Sequence, residues 1–158
     1  MRQHARGFTL IELVVTVALV GILASVAMPL GTLTVQRLRE GELRSSLRQI
    51  RDALDAYKRA SDGGRILRRA DGSGYPRTLE ELEAGVEDLK DPDKRKIYFL
   101  RKVPRDPFFA DPSVPASATW GKRSYASPPD MPMEGDDVFD VFSRSERVGL
   151  NGIPLRDW

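Results

Sequence analysis

One carboxylate in this sequence stands where a charge is costly. Glu12 sits at the start of an apolar run, and from Leu13 to Val35 there follow 23 residues without a charge. An ionisable group at the centre of a membrane helix costs roughly 2.5–3.5 kcal/mol, so such groups serve a partner or a pathway. No cation lies within helical reach on the C-terminal side. A cut after Gly7 would create one upstream, the α-amino group of Phe8, four residues before Glu12 and one helical turn away. Glu12 resting at headgroup level with no partner is the plain alternative. Elsewhere the groups that catalysis needs are missing or badly placed. The chain has no cysteine and a single histidine, His4, on the far side of that cut, which removes disulfides, thiolate metal sites and thiol or histidine chemistry. Glu80 with Glu81 and Asp136 with Asp137 are adjacent pairs of the kind that cap helices and fill turns. No nucleophile, base and orienting group form a set, and the chain reads as a non-enzyme.

The elements that must position Glu12 follow from the pattern around it. At about 1.5 Å rise per residue the uncharged run spans roughly 35 Å, enough to cross a bilayer core of about 30 Å. Arg2, His4 and Arg6 precede the run and Arg37 and Arg39 follow it, so charge alone sets its orientation weakly. A cleavable secretory signal has a shorter apolar stretch and a small-residue cut site behind it, which this run does not match. Ala18, Gly21, Ala24 and Ser25 allow close helix approach, and Pro29 with Gly31 is expected to kink or loosen the helix. From its end onward, Val35, Leu38, Leu43, Leu47, Ile50, Leu54 and Tyr57 recur at helical spacing among charged residues, which predicts an amphipathic continuation over 36–60.

That helix is expected to stop at Ser61-Asp62-Gly63-Gly64. Arg65 to Gly74, with Arg65, Arg68 and Arg69 and a second turn signal at Asp71-Gly72-Ser73-Gly74, reads as a surface loop. A short helix opens near Thr78, with Thr78 as N-cap and Glu81 as its capping-box partner. Every proline except Pro29 lies from Pro76 onward, so the C-terminal part is turn-rich with short strands. Trp120–Ser127 and Asp137–Ser143 read as antiparallel partners, with Phe139, Val141 and Phe142 buried and Val138 on the opposite face. The expected fold is α+β: a long N-terminal helix, transmembrane in its first half, packed against a small C-terminal antiparallel sheet. The segments are 1–7, 8–35, 36–60 and 61–158. A net charge of +2, with 25 Lys and Arg against 23 Asp and Glu, gives no electrostatic footprint for nucleic acid.

The string Arg6-Gly7-Phe8-Thr9-Leu10-Ile11-Glu12-Leu13-Val14-Val15-Thr16 with the apolar residues behind it resembles the signal of type IV pilins and type II secretion pseudopilins. Tyr75-Pro76-Arg77-Thr78-Leu79-Glu80-Glu81-Leu82, the Pro104-Arg105-Asp106-Pro107 turn and the terminal Trp158 are most similar to the major, G-type, pseudopilins. The resemblance implies a type IV pilin-like fold and a leader, residues 1–7, cut between Gly7 and Phe8 by a prepilin peptidase that also N-methylates Phe8. It implies that Glu12 pairs with the N-terminal amine of a neighbouring copy during filament assembly, and it places the family's helix-kinking proline at Pro29. The implied partners are further copies of the chain, other pseudopilins, an inner-membrane assembly platform and, before assembly, membrane lipid. The implied location is the bacterial inner membrane, with the N-terminus cytoplasmic and the C-terminal part in a periplasmic filament. Loss of Arg2 and Arg6 with the leader would leave 23 basic against 23 acidic side chains, a formally neutral subunit.

The likeness breaks in one place. G-type pseudopilins bind calcium through aspartates in the loop before the terminal tryptophan, whereas Ser143 to Pro154 here holds Glu146 as its one carboxylate beside Arg144 and Arg147. Calcium wants several oxygen ligands, so that site is not carried over and no cofactor is expected; Asp136, Asp137 and Asp140 are read as turn and strand-end residues rather than ligands. A type IV pilus pilin remains open as an alternative, although the cysteine pair usual in the last loop of such pilins is missing. So does a single-pass membrane-anchored binding module that does not polymerise.

Overall fold

The computed structural model describes residues 8–69 and 72–158, with the side chains of 25–31 left aside. The expected leader, Gly7 included, and Asp71 of the second turn signal lie outside the described residues. Helix α1 runs Leu10–Asp62, and helix α2 is the short Glu80–Ala84. Strand β1 (Val86–Glu87) pairs antiparallel with β2 (Lys96–Ile97), and β3 (Trp120–Arg123) with β4 (Asp140–Ser143). The architecture is therefore α+β, with a long N-terminal helix and two small antiparallel sheets in place of the single sheet expected. Two compact units divide the chain, one ending at Leu38 and the other running Arg39–Trp158. Among the described residues no helix is long and apolar enough to cross a membrane.

In the second unit the amphipathic stripe forms the core. Leu43, Leu47, Ile50, Leu54 and Tyr57 are all buried, while Val35 and Leu38, the first residues of the same pattern, stay exposed. Each Leu or Ile so buried is worth roughly 1.5–3 kcal/mol against leaving it in water. Leu79 and Leu82 from the α2 region, Trp120 and Val141 from the second sheet and Leu155 near the C-terminus pack into the same cluster, with Ile66, Leu100, Val103 and Val138 from the loops. The Pro104-Arg105-Asp106-Pro107 turn is tied into it by polar groups. Trp120 Nε1 donates to the Pro104 carbonyl at 2.8 Å, and the buried Asp106 accepts from Ser143 Oγ at 2.7 Å and from the Phe108 amide at 2.8 Å.

Local expectations changed where neighbours outbid the local pattern. The helix stops at Asp62 as its turn signal requires, but Ile66 in the following loop is buried and Arg65 pairs with Asp88, so that segment is partly anchored. The expected capping box does not form. Helix α2 starts without a side-chain cap, with Leu79 rather than Thr78 at its N-cap, and Glu81 accepts from the Arg77 amide at 3.3 Å and from the Tyr57 hydroxyl at 3.2 Å. Both strands of the second sheet are shorter than read, because the ladder ends at Arg123 opposite Asp140 and the Ser124 amide turns instead to the Met133 carbonyl at 2.9 Å. Val138 therefore precedes β4 and does not share its alternation. Its amide donates to the Pro76 carbonyl at 2.8 Å and its side chain is buried, while Phe139 is only half-buried against Tyr75 and Tyr125. Phe142, expected inside, covers Gly121 opposite it in the register, where a side chain would collide with its ring.

Candidate functional site

Phe8 and Thr9 precede α1, and Thr9 starts it. Thr9 Oγ1 accepts the Glu12 amide at 3.3 Å and the Thr9 carbonyl accepts the Leu13 amide at 3.2 Å, so Thr9 is the N-cap and Glu12 the third residue of the first turn. A carboxylate there meets the positive end of the helix dipole. The Thr-x-x-Glu spacing of a capping box is present in the sequence at Thr9 and Glu12, a local signal that the Phe8-amine and headgroup readings of Glu12 do not use. One turn on, Thr16 folds its hydroxyl back onto the Leu13 carbonyl at 2.9 Å, which satisfies it within the helix.

Around Glu12 the surface is apolar without a cover. Between Phe8 and Leu23 the large apolar side chains are 49% (Val15) to 82% (Leu10) exposed. An apolar surface this continuous is the mark of a lipid or protein partner. The helix is continuous through position 29, and the Pro29 side chain is among those not described. Of the residues singled out from the sequence, Phe8 and Glu12 thus share the start of α1, Pro29 lies in the same helix, and Gly7 is outside the described residues.

Of Asp136, Asp137 and Asp140, the last two are engaged with the protein. Asp137 accepts from the Ser73 hydroxyl, from Ser124 Oγ at 2.8 Å and from the Tyr125 amide at 2.8 Å. Burial alone would raise its carboxyl, and these three donors outweigh that and hold it below the usual range. Asp140 belongs to a different network, 2.8 Å from Arg51 Nε and 3.6 Å from Arg123 Nη2, and Asp136 is exposed. Among the described residues no three carboxylates or histidines gather into a metal-binding group. Arg51 also donates to the Val141 and Trp158 carbonyls, at 3.2 and 2.8 Å, and the Arg44 guanidinium lies 4.3 Å over the Trp158 ring. Neither arginine carried a signal in the sequence, since both read as part of a solvated helix face.

Residues 2–28, which contain this helix start, match the family model described as the prokaryotic N-terminal methylation motif. Over 163 aligned residues, covering all of this chain and 94% of the relative, the chain is 31% identical to the type II secretion system core protein G of Vibrio cholerae serotype O1. The chain belongs to the type II secretion core protein G family. Core protein G of Dickeya chrysanthemi is 28% identical over 96% of this chain and 97% of its own, and that of Klebsiella michiganensis 29% over 99% and 91%. No solved structure matches the chain. As a G-type pseudopilin it is a structural subunit of a type II secretion pseudopilus, and the methylation motif covers the exposed apolar start of α1 in this chain.

Proposed function

We propose that this pseudopilin polymerises through residues 8–35 of α1 into a periplasmic filament, after a prepilin peptidase cuts between Gly7 and Phe8 and N-methylates Phe8. The observation that carries the reading is the uncovered apolar surface from Phe8 to Leu23, interrupted by a single carboxylate at Glu12. Before assembly that surface lies in the inner membrane as a single span, with the N-terminus cytoplasmic and the C-terminal unit periplasmic. In the filament it packs against other copies, with other pseudopilins and an inner-membrane assembly platform as further partners. The subunit acts by packing, not by catalysis.

Glu12 sets the axial offset between copies. Identical apolar helices slide past one another at little cost, so packing alone specifies register poorly. A carboxylate that meets an ammonium from the adjacent copy removes two unpaired charges from an apolar setting at one offset only. A lone polar residue fixes register in coiled coils by the same logic. Pro29, which has no amide to donate, weakens an otherwise continuous α1 between its apolar and amphipathic parts.

The mass of the protein isolated from envelopes of cells carrying the prepilin peptidase tests this reading. The expected species lacks residues 1–7 and carries one added methyl group on Phe8. A chain that still begins at Met1 would refute the processing step, and with it the source of the amine that Glu12 requires.

A further inference from the structure

The loop between β4 and the C-terminus turns its groups the wrong way for a cation. A calcium site needs six to eight oxygens aimed at one point. Here Glu146 is the one carboxylate between Ser143 and Pro154, and four of the loop's oxygens accept bonds from the loop itself. Gly149 O takes the Gly152 amide at 2.9 Å, Ile153 O the Gly149 amide at 2.9 Å, Arg147 O the Leu155 amide at 2.9 Å, and Asn151 Oδ1 the Ile153 amide at 3.1 Å. The interior is also full, since a Cβ on Gly149 would stand 2.8 Å from Asn151 Oδ1 and closer still to the Trp158 ring. Calcium as related G-type pseudopilins hold it does not fit these residues.

What the loop turns inward is a donor, and what meets it is an anion from the helix. Glu40, on α1 and 6% exposed, places Oε1 2.8 Å from the Leu150 amide, 110 residues away in the chain. We propose that this loop closes without a divalent cation, and that the Glu40 carboxylate is the group that closes it. The negative charge which a metal-binding loop would supply to an ion is delivered here by α1 to the loop's own backbone. A charged acceptor makes the stronger kind of hydrogen bond, and a buried carboxylate is retained only where such donors satisfy it.

Two measurements on the full-length protein in detergent micelles test this, and neither requires filaments, so the assembly reading can fail without touching it. The first is the thermal midpoint of the unsubstituted chain in millimolar calcium chloride and in excess EGTA. Equal midpoints are expected, and a reproducible rise with calcium would overturn the proposal, because any ion bound by the native state alone must stabilise it. The second is the rate of trypsin cleavage after Arg144 and Arg147 in the folded protein. Glu40→Ala is expected to raise it on the order of tenfold, and Glu40→Gln, which keeps an oxygen acceptor, by less. Cleavage of Glu40→Ala at the unsubstituted rate would overturn the role given to Glu40. The calcium comparison needs no variant and decides the first half of the proposal even if Glu40→Ala fails to accumulate.

Discussion

Arg51 and Asp140, 89 residues apart in the chain, meet with Nε and Oδ1 2.8 Å from each other. The pair joins α1 to β4, and the same guanidinium reaches the Trp158 carbonyl at the chain's end. One side chain thus fixes the helix, the second sheet and the C-terminus together. Arg44 stacked on Trp158 and Glu40 on the Leu150 amide extend this row along α1 at the i, i+4 and i+11 spacing of one helix face.

Arg51→Met keeps much of the apolar stem and removes all three bonds. Hydrogen bonds to a charged group are worth about 1.5–3 kcal/mol, and with the Arg51 side chain 38% exposed solvent screening puts the loss toward the lower end. At about 2–4 °C per kcal/mol for a chain of this size, the thermal midpoint should fall by several degrees. Arg51→Lys should recover only part of it, because an ammonium cannot reproduce the fork that spans a carboxylate and two carbonyls. A midpoint unchanged in Arg51→Met would show that the network contributes nothing measurable.

Such long-range ties mark the limit of what was legible in the sequence. The buried stripe from Leu43 to Tyr57 was readable because burial on a helix repeats every three to four residues, and the end of α1 because Gly63 and Gly64 stop it. Val138 was misplaced because β-alternation was applied two residues before β4 begins, where the Pro76 carbonyl rather than a neighbouring strand takes its amide. Thr78 lost its capping role because α2 begins one residue later, with Leu79 at the N-cap, and Glu81 turns to the Arg77 amide and to the Tyr57 hydroxyl from the distant α1. Glu40, Arg44 and Arg51 looked like ordinary solvated charges, and nothing within a few residues of them names partners that lie about a hundred positions away. Thr9 is the opposite case: its signal was local, and the costly charge beside it drew attention to the amine instead.

Asp137 should govern part of the acid limb of stability. Its carboxyl is held below the usual range in the folded chain, so its contribution is present above the ordinary carboxylate range and is lost as pH falls through the folded value. Asp137→Asn keeps one oxygen for Ser73, Ser124 or Tyr125 but no charge. The variant is expected to melt lower than the unsubstituted protein at pH 7 and to lose less between pH 7 and about pH 3. Parallel acid limbs for the two proteins would contradict this.

Tyr57 should act at the opposite end of the scale. Burial, then the nearby Glu81 carboxylate and its hydrogen bond with the hydroxyl, push this phenol up to about 12 from an ordinary 10.0. A raised folded value means the stabilisation is complete below pH 10 and is lost as pH climbs toward 12, where the unfolded chain ionises first. Tyr57→Phe should therefore flatten the decline of the melting midpoint between pH 10 and 12, while Arg77 still supplies Glu81 with one donor. An equally steep decline in the variant would assign the alkaline loss to other groups.

The sharpest test separates the two uses of Glu12. If Glu12 merely completes the first turn of its own helix or rests at headgroup level, then Glu12→Gln should assemble, since a neutral acceptor tolerates either position. If it pairs with the amine of a neighbouring Phe8, the charge itself is required, and both Glu12→Gln and Glu12→Ala should insert into the membrane yet give no cross-linked multimers. Thr9→Ala provides the control, because it removes the hydroxyl that holds the Glu12 amide and leaves the carboxylate in place. That change should cost about 0.5–2 kcal/mol of helix-start stability, seen as faster amide exchange at Glu12, while multimers persist. Assembly by Glu12→Gln at the unsubstituted level would end the pairing argument and leave Glu12 as a capping residue.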